Sequence, residues 1–372
     1  MRAPLLSAAL VLAWCTAACS KCSDDAPGGV SARDASELGG KDAPCELSSQ
    51  SKLGDGVELA AGLTSRRLGD GRLVVGVALG TDPRAVVVGG GGGVTVQEPR
   101  RGKASGRLLR VTPALEDGAI AVLSDVRTAD GRVECAAVPS ADLSDCRSFA
   151  SADGTKRWLV GSRSSPPRLV ARSNASGGER ELFTSDGPPF EDLRSEHLGE
   201  YGFVVSARYG GKVVMIRLEP DFALTEARSY GNAFGPNPEL VSAGSGAMLL
   251  TTRRAFERQR VAFAQFADQH GHLPEHFDGS EHGLAGHAPR LASVGSQRFL
   301  ALLDAVPGRL ELLPVDATFG RAGPGQFVTA AGVKALDSAI LGFDDGRVVV
   351  VYATVERALM AATLRCKTQS GK

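Results

Sequence analysis

Five of the six histidines fall in one short stretch: His270, His272, His276, His282 and His287, with Glu275, Asp278 and Glu281 among them. Neutral imidazoles at this density can hold Zn2+ or Cu2+ from a single loop. His270, His272 and His276 are the candidate ligands. No standard zinc spacing is present, so the competing reading is a solvated polar loop between structural repeats. The same cluster could form a pH-sensitive contact surface. A divalent metal is the one cofactor these residues suggest, and they assign no catalytic residue. No Gly-x-Ser-x-Gly, His-Glu-x-x-His or dinucleotide fingerprint stands out. Gly102-Lys103 is not a phosphate loop, because Gln97 stands where that motif needs Gly and Ala104 where it needs Ser or Thr.

The remaining reactive side chains are the seven cysteines, and their chemistry depends on the compartment. Met1-Arg2 is a short positive start, Ala3 to Ala18 is uncharged and apolar, and small residues precede Cys19. This is the form of a signal peptide over residues 1–18, too short for a comfortable transmembrane helix. Thr16-Ala17-Ala18-Cys19 resembles the lipobox of bacterial lipoproteins, with Thr where that family usually has Leu, Val or Ile. The resemblance implies that the Cys19 thiol takes a diacylglyceryl group and becomes the new N-terminus. It also implies outer-membrane sorting, since Ser20 replaces the Asp that favours inner-membrane retention. A plain secretory signal is the alternative. Cys15, Cys19 and Cys22 share the spacing of the radical-SAM iron–sulfur motif, but two of them lie in or at the end of the signal segment, where no barrel mouth can use them.

Export leaves Cys22, Cys45, Cys135, Cys146 and Cys366 in an oxidising compartment. Cys135 and Cys146 are spaced to staple one hairpin or its neighbour. Cys45 precedes the first strand-like run and Cys366 ends the last, so a bridge between them would tie the two ends of the domain together. Free buried thiols are the alternative for both pairs. Residues 19–57 are acidic, Gly- and Ser-rich and almost without apolar runs, and read as a lipidated N-terminus and flexible tether. Residues 58–372 are the folded domain.

Candidate chemistry of this kind needs a frame. Apolar residues make up 43% of the 372, enough for a sizeable core, while Gly is high at 46 and aromatics low at 5%, which favours short strands and tight turns. The 42 basic residues balance the 42 acidic ones, and nothing suggests a nucleic-acid partner. Apolar runs begin near Arg72, Ala119, Arg157, Gly202, Ala247, Arg298 and Arg347, at spacings of 47, 38, 45, 45, 51 and 49. Periods of roughly 40 to 50 residues are those of propeller blades. Pro238 to Ser245 matches Pro289 to Ser296 at five of eight positions. Second strands are expected from Lys212 to Leu218, Arg260 to Phe266 and Arg309 to Val315. Asp-Gly pairs recur between runs and suit tight hairpins. Thr252 to Gln269 has helix formers, but the repeat register predicts a strand there. The expected fold is therefore all-β, a seven-bladed β-propeller with six or eight blades as alternatives, in which Val57 to Ser65 supplies a strand to the last blade.

Ser151-Ala152-Asp153-Gly154-Thr155-Lys156-Arg157-Trp158 resembles the Asp-box of sialidase propellers, with the Gly one place early. That box is a turn element and not a catalytic site. Trp158 is expected in the core. Arg253, Arg254, Arg258 and Arg260 read as a solvated strand face. As a whole the chain resembles bacterial exported propeller lipoproteins. The expected function is a lipid-anchored envelope module that binds a protein or small ligand. The alternative is an envelope hydrolase or lyase with its site in the propeller channel, metal-assisted through the His-rich loop. Acids and bases from several blades meeting at the channel would favour the enzyme. A broad exposed apolar patch would favour a docking module.

Overall fold

The computed structural model describes residues 43–367 except positions 91–92, 101–104, 139, 141, 175–177, 232–233, 237, 244–245, 256–257, 266–271, 274, 276–283, 285, 295–296, 304–307 and 317–319. A first strand, β1 (Cys45–Gly54), is followed by sheet I, with β2 (Thr64–Arg67), β3 (Leu73–Leu79), β4 (Asp82–Val88) and β5 (Val94–Gln97). Sheet II holds β6 (Arg107–Glu116), β7 (Ala119–Arg127) and β8 (Val133–Glu134). Sheet III holds β9 (Asp145–Ala150), β10 (Arg157–Ser164), β11 (Pro167–Ser173) and β12 (Glu179–Thr184). Sheet IV holds β13 (Glu191–His197), β14 (Phe203–Tyr209), β15 (Lys212–Leu218) and β16 (Leu224–Tyr230). Sheet V holds β17 (Glu239–Ala243), β18 (Gly246–Ala255) and β19 (Arg258–Gln265). Sheet VI holds β20 (His287–Val294), β21 (Gln297–Leu303), β22 (Leu310–Val315) and β23 (Gln326–Phe327). Sheet VII holds β24 (Ala335–Gly342), β25 (Arg347–Thr354) and β26 (Leu359–Cys366), with β1 added at its outer edge.

All these sheets are antiparallel meanders, and seven are present among the described residues. The first strands of consecutive sheets touch in cyclic order, β2 to β6, β9, β13, β17, β20, β24 and back to β2. The chain is an all-β propeller, and those first strands form its inner wall.

The physical reason lies in the second strands. Each expected apolar run became one of them, β3, β7, β10, β14, β18, β21 and β25. They are apolar on both faces because each sheet is packed between two others. In β25, Val348 to Tyr352 are all fully buried. A separate apolar cluster fills each interface between neighbouring sheets, for example Val75, Val77 and Val86 of sheet I against Val349, Val351 and Ala361 of sheet VII. Seven aromatics, Phe149, Trp158, Phe183, Phe190, Phe203, Tyr209 and Phe222, gather at the interface of sheets III and IV. There Trp158 stacks near Phe149, meets Phe203 edge-on at 4.8 Å and donates its Nε1–H to Ser195 Oγ at 2.9 Å. Outer strands such as β16 are mostly open to solvent. Arg253, Arg254 and Ala255 of β18 pair with Arg260, Gln259 and Arg258 of β19, so among the described residues up to Gln265 the strand reading holds against the helical one.

One boundary is corrected. The strand that completes the last sheet is Cys45–Gly54, not Val57 to Ser65, and residues 45–57 belong to the fold and not to the tether. The cause is its position. An outermost strand has little to bury, so Cys-Glu-Leu-Ser-Ser-Gln-Ser-Lys-Leu-Gly is largely exposed and has the composition of a linker. Val57 instead bridges to Leu79 and is buried between sheets VII and I.

Candidate functional site

Each inner strand carries a charged residue near its middle or start. They are Arg66 on β2, Arg110 on β6, Arg147 on β9, Arg194 on β13, Glu239 on β17, Arg290 on β20 and Asp337 on β24. Because the inner strands are arranged in a ring, all these residues line one central cavity of about 300 Å³, together with Asp192 and Glu196 of β13. Period-2 alternation explains how a charge survives there. Around Arg147 and Arg194 the chain neighbours are buried, Cys146 and Ser148 on either side of the first and Leu193 and Ser195 on either side of the second.

The arginines are fixed largely by backbone carbonyls. Arg194 donates through Nε to Pro238 O at 2.9 Å and through Nη1 to Leu193 O at 3.0 Å. Arg290 donates to Ser338 O at 3.1 Å and Pro289 O at 3.0 Å, and reaches Asp337 Oδ1 at 3.3 Å. Arg66 donates through Nη2 to Ala150 O. Arg147 pairs with Asp145 at 2.6 Å. Arg110 lies 5.2 Å from the centre of the Phe149 ring, and its buried Nε has no hydrogen-bond partner. Carbonyls orient a guanidinium without neutralising it, whereas Arg147 and Arg290 also pair directly with Asp145 and Asp337.

The acids are less available as counter-charges than their number suggests. Asp192 is held by Arg208 at 2.8 Å. Asp337 accepts from Leu63 N at 2.7 Å and Ser338 N at 2.8 Å. Burial raises the pKa of Glu196 against the opposing pull of Arg66 and Arg110. Burial also raises Glu239 to about 7, despite Arg290 and Arg194 nearby. One oxygen of Glu239, Oε2, is buried without a partner. Burial pushes Arg110 well below the usual guanidinium range, repulsion from Arg194, Arg147 and Arg290 adds to it, and Asp125 opposes it. Burial likewise takes Arg194 to about 10, opposed by Asp192 and Glu239, while Arg290 and Arg147 add repulsion.

Both expected disulfides are formed. Cys45 is bonded to its direct cross-strand neighbour Cys366, closing the outer edge of sheet VII. Cys135–Cys146 joins the segment after β8 to the inner strand β9, beside Arg147, so it staples sheet II to a channel strand. Cys19 lies outside the described residues, as do His270 and His276. His272 is exposed, and His287 is half-buried at the channel wall. Among the described residues no group of three or more His, Cys, Asp or Glu is placed to hold a metal. The Asp-box-like segment is the β9–β10 turn. Asp153 accepts from Thr155 N at 3.1 Å, Ser151 Oγ accepts from Lys156 N at 2.9 Å, and Gly154 with φ +76° packs on the Leu115 carbonyl.

The charged ring was not anticipated from the sequence, which carries a faint signal of it. A charged residue precedes each apolar run by six to ten positions, and in the best-matched repeats Glu239 and Arg290 occupy the same place.

No family model matches this sequence, and no curated protein matches it. Solved structures do. The structure of BBS1N in complex with ARL6DN, soaked with lead, superposes with a TM-score of 0.50 at 11% identity over 89% of this chain and 99% of that one. A fungal alcohol oxidase of the AA5 family in complex with copper gives 0.44 at 10% identity over 87% and 76%. The Dos1 propeller gives 0.41 at 10% identity over 81% and 77%. At such identities the likeness is one of fold.

Proposed function

We propose that this protein is a lipid-anchored propeller of the bacterial cell envelope, held to the outer membrane through Cys19, whose central channel binds a small ligand. The observation that carries the ligand site is the meeting of charged side chains from all seven inner strands in one cavity of about 300 Å³. Such a concave site, with convergent polar groups on rigid strands, is the usual place for a ligand in a ring-shaped fold. The exposed large apolar side chains among the described residues are Leu224 on sheet IV, Leu336 on sheet VII and Val355 just after β25. An envelope protein is the other partner class for such a module, and the charged cavity is the observation that favours a small molecule.

Native mass spectrometry of the full-length protein, purified in detergent from its own membranes, tests this reading. The expected result is a small-molecule adduct lost on denaturation and absent from a variant altered at Arg110. A wild-type protein without adduct, together with no stabilisation by any soluble envelope extract, would sink it.

The enzyme reading is favoured by one observation. Glu239 lies in the channel with a pKa of about 7, the range suited to a general acid or base. In an enzyme, Glu239→Gln would abolish turnover of the captured ligand while retaining its binding. In a binding module the ligand would be recovered unchanged from both proteins.

A further inference from the structure

Resting on the channel reading, we propose that the ligand is a metabolite-sized oxyanion, a carboxylate or phosphate with at least two negative charges, clamped by Arg66, Arg110, Arg147, Arg194 and Arg290.

Three observations converge on this chemistry. First, five guanidinium groups from five different sheets line one cavity. Ring closure needs no charge at these positions. Buried ionic groups can often be replaced by apolar residues without loss of stability. Five arginines converging on one cavity, with Arg110 and Arg194 repelled by their arginine neighbours, are therefore a feature that the fold alone does not explain.

Second, the contacts of Arg66, Arg110 and Arg194 orient these cations more than they neutralise them. Arg66 and Arg194 bond to backbone carbonyls, and Arg110 faces an aromatic ring. A guanidinium has five N–H donors in a planar fork that matches carboxylate and phosphate oxygens. Arg194 uses two of them on carbonyls. The buried Nε of Arg110 has no acceptor, which is the kind of deficit an incoming oxygen would repair.

Third, the site lies inside the ring of inner strands, where charge-assisted hydrogen bonds are stronger than at an open surface. The cavity of about 300 Å³ suits a small metabolite and is too confined for a polymer or a packed protein surface. Glu239 sits between Arg194 and Arg290 as an internal acid of adjustable charge. An anion bound beside it would favour its protonated form, so binding should take up a proton near neutral pH.

The test is isothermal titration of the full-length protein in detergent at low ionic strength. The probes are citrate for the carboxylate arm, inorganic phosphate and glycerol 3-phosphate for the phosphate arm, and trehalose as the neutral arm. Arg110→Met removes a channel cation at nearly constant volume. Arg84→Met removes a rim arginine that pairs with Asp82 and Glu98 and serves as the control. We expect saturable binding of at least one anion at one site per chain. Affinity should fall roughly tenfold or more in Arg110→Met, about the loss of one charge-assisted contact, and stay unchanged in Arg84→Met. Which anion arm binds identifies the oxyanion.

A melting curve of unliganded Arg110→Met confirms that it folds, and Arg194→Met is a second channel variant should it fail. No saturation with any anion, or equal affinity in the channel and rim variants, would overturn the proposal. Binding of trehalose that is insensitive to Arg110 would overturn the anion but leave the channel as a ligand site. No binding in any arm, with no adduct in the native mass spectrum, would remove both.

Discussion

Glu239 on β17 and Arg290 on β20 occupy equivalent positions in the two best-matched repeats, and they meet as opposite charges on the wall of the channel. The groups facing Glu239 are Asp192 and Arg194 of β13, His287 and Arg290 of β20, and Asp337 of β24. Burial outweighs the arginines and raises the carboxyl from 4.5 to about 7. A carboxyl raised on folding holds its proton more tightly in the native state. Its contribution to stability is complete below pH 4.5 and is lost as pH rises through about 7. Melting temperature measured across this window should therefore carry a falling component in the wild type. Glu239→Gln should remove that component and be the more stable protein above neutrality. Identical pH profiles for the two proteins would show that Glu239 does not titrate in this range.

Cys45 and Cys366 join chain positions 321 residues apart, with Cα atoms 3.9 Å from each other. They are also the first register pair of β1 with β26, so the covalent bond and the strand pairing close the same ring. Removing a bridge over so long a loop is worth about 3–5 kcal/mol in the chain-entropy account. A Cys45→Ala, Cys366→Ala double variant should unfold at clearly lower denaturant, with the loss appearing at the sheet VII edge first in hydrogen exchange. Intact mass with and without reductant should show both bridges. Four free thiols at Cys45, Cys135, Cys146 and Cys366 in the native protein would contradict this.

The inner wall depends on close approach as well as on bonds. Gly342 of β24 lies where any Cβ would run into the carbonyl of Ser293 on β20. Sheets VI and VII can only meet this closely because the side chain is missing. Gly342→Ala should cost roughly 1–3 kcal/mol, the usual penalty for overfilling a packed interface. It should also loosen Arg290, which is anchored to Ser338 O across the same interface. Thermal unfolding gives the first effect, and anion titration of the folded variant gives the second. A variant as stable as wild type would mean that the two strands separate without penalty.

How much of this was legible beforehand can be argued residue by residue. The seven apolar runs became the seven second strands because a strand buried on both faces must be apolar throughout, and that survives in composition. The two disulfides followed from spacing and from the compartment assigned to the chain. The strand Cys45–Gly54 was missed because an outermost strand buries almost nothing and looks like a linker. The channel was missed for a different reason. Arg66, Arg110, Arg147, Arg194 and Arg290 are scattered over more than two hundred positions, and each is unremarked among its chain neighbours. Only ring closure brings them together, and neither composition nor local periodicity carries that information. The histidine stretch was the opposite case, conspicuous in sequence, with His272 exposed and His287 alone of the two reaching the channel wall.

The anchor is tested independently of the channel. If Cys19 carries the lipid, Cys19→Ala should move the protein from the membrane fraction to the soluble fraction, or leave it as an uncleaved precursor. Its mature mass should lose the acyl increment. The propeller begins at Cys45, so about 25 residues of Gly-, Ser- and Asp-rich chain separate it from Cys19. Anion titration of Cys19→Ala should then match the wild type, because the lipid would fix location and not the site. A protein that stays membrane-bound and keeps its mass would remove the lipid anchor and leave an apolar N-terminal segment as the attachment.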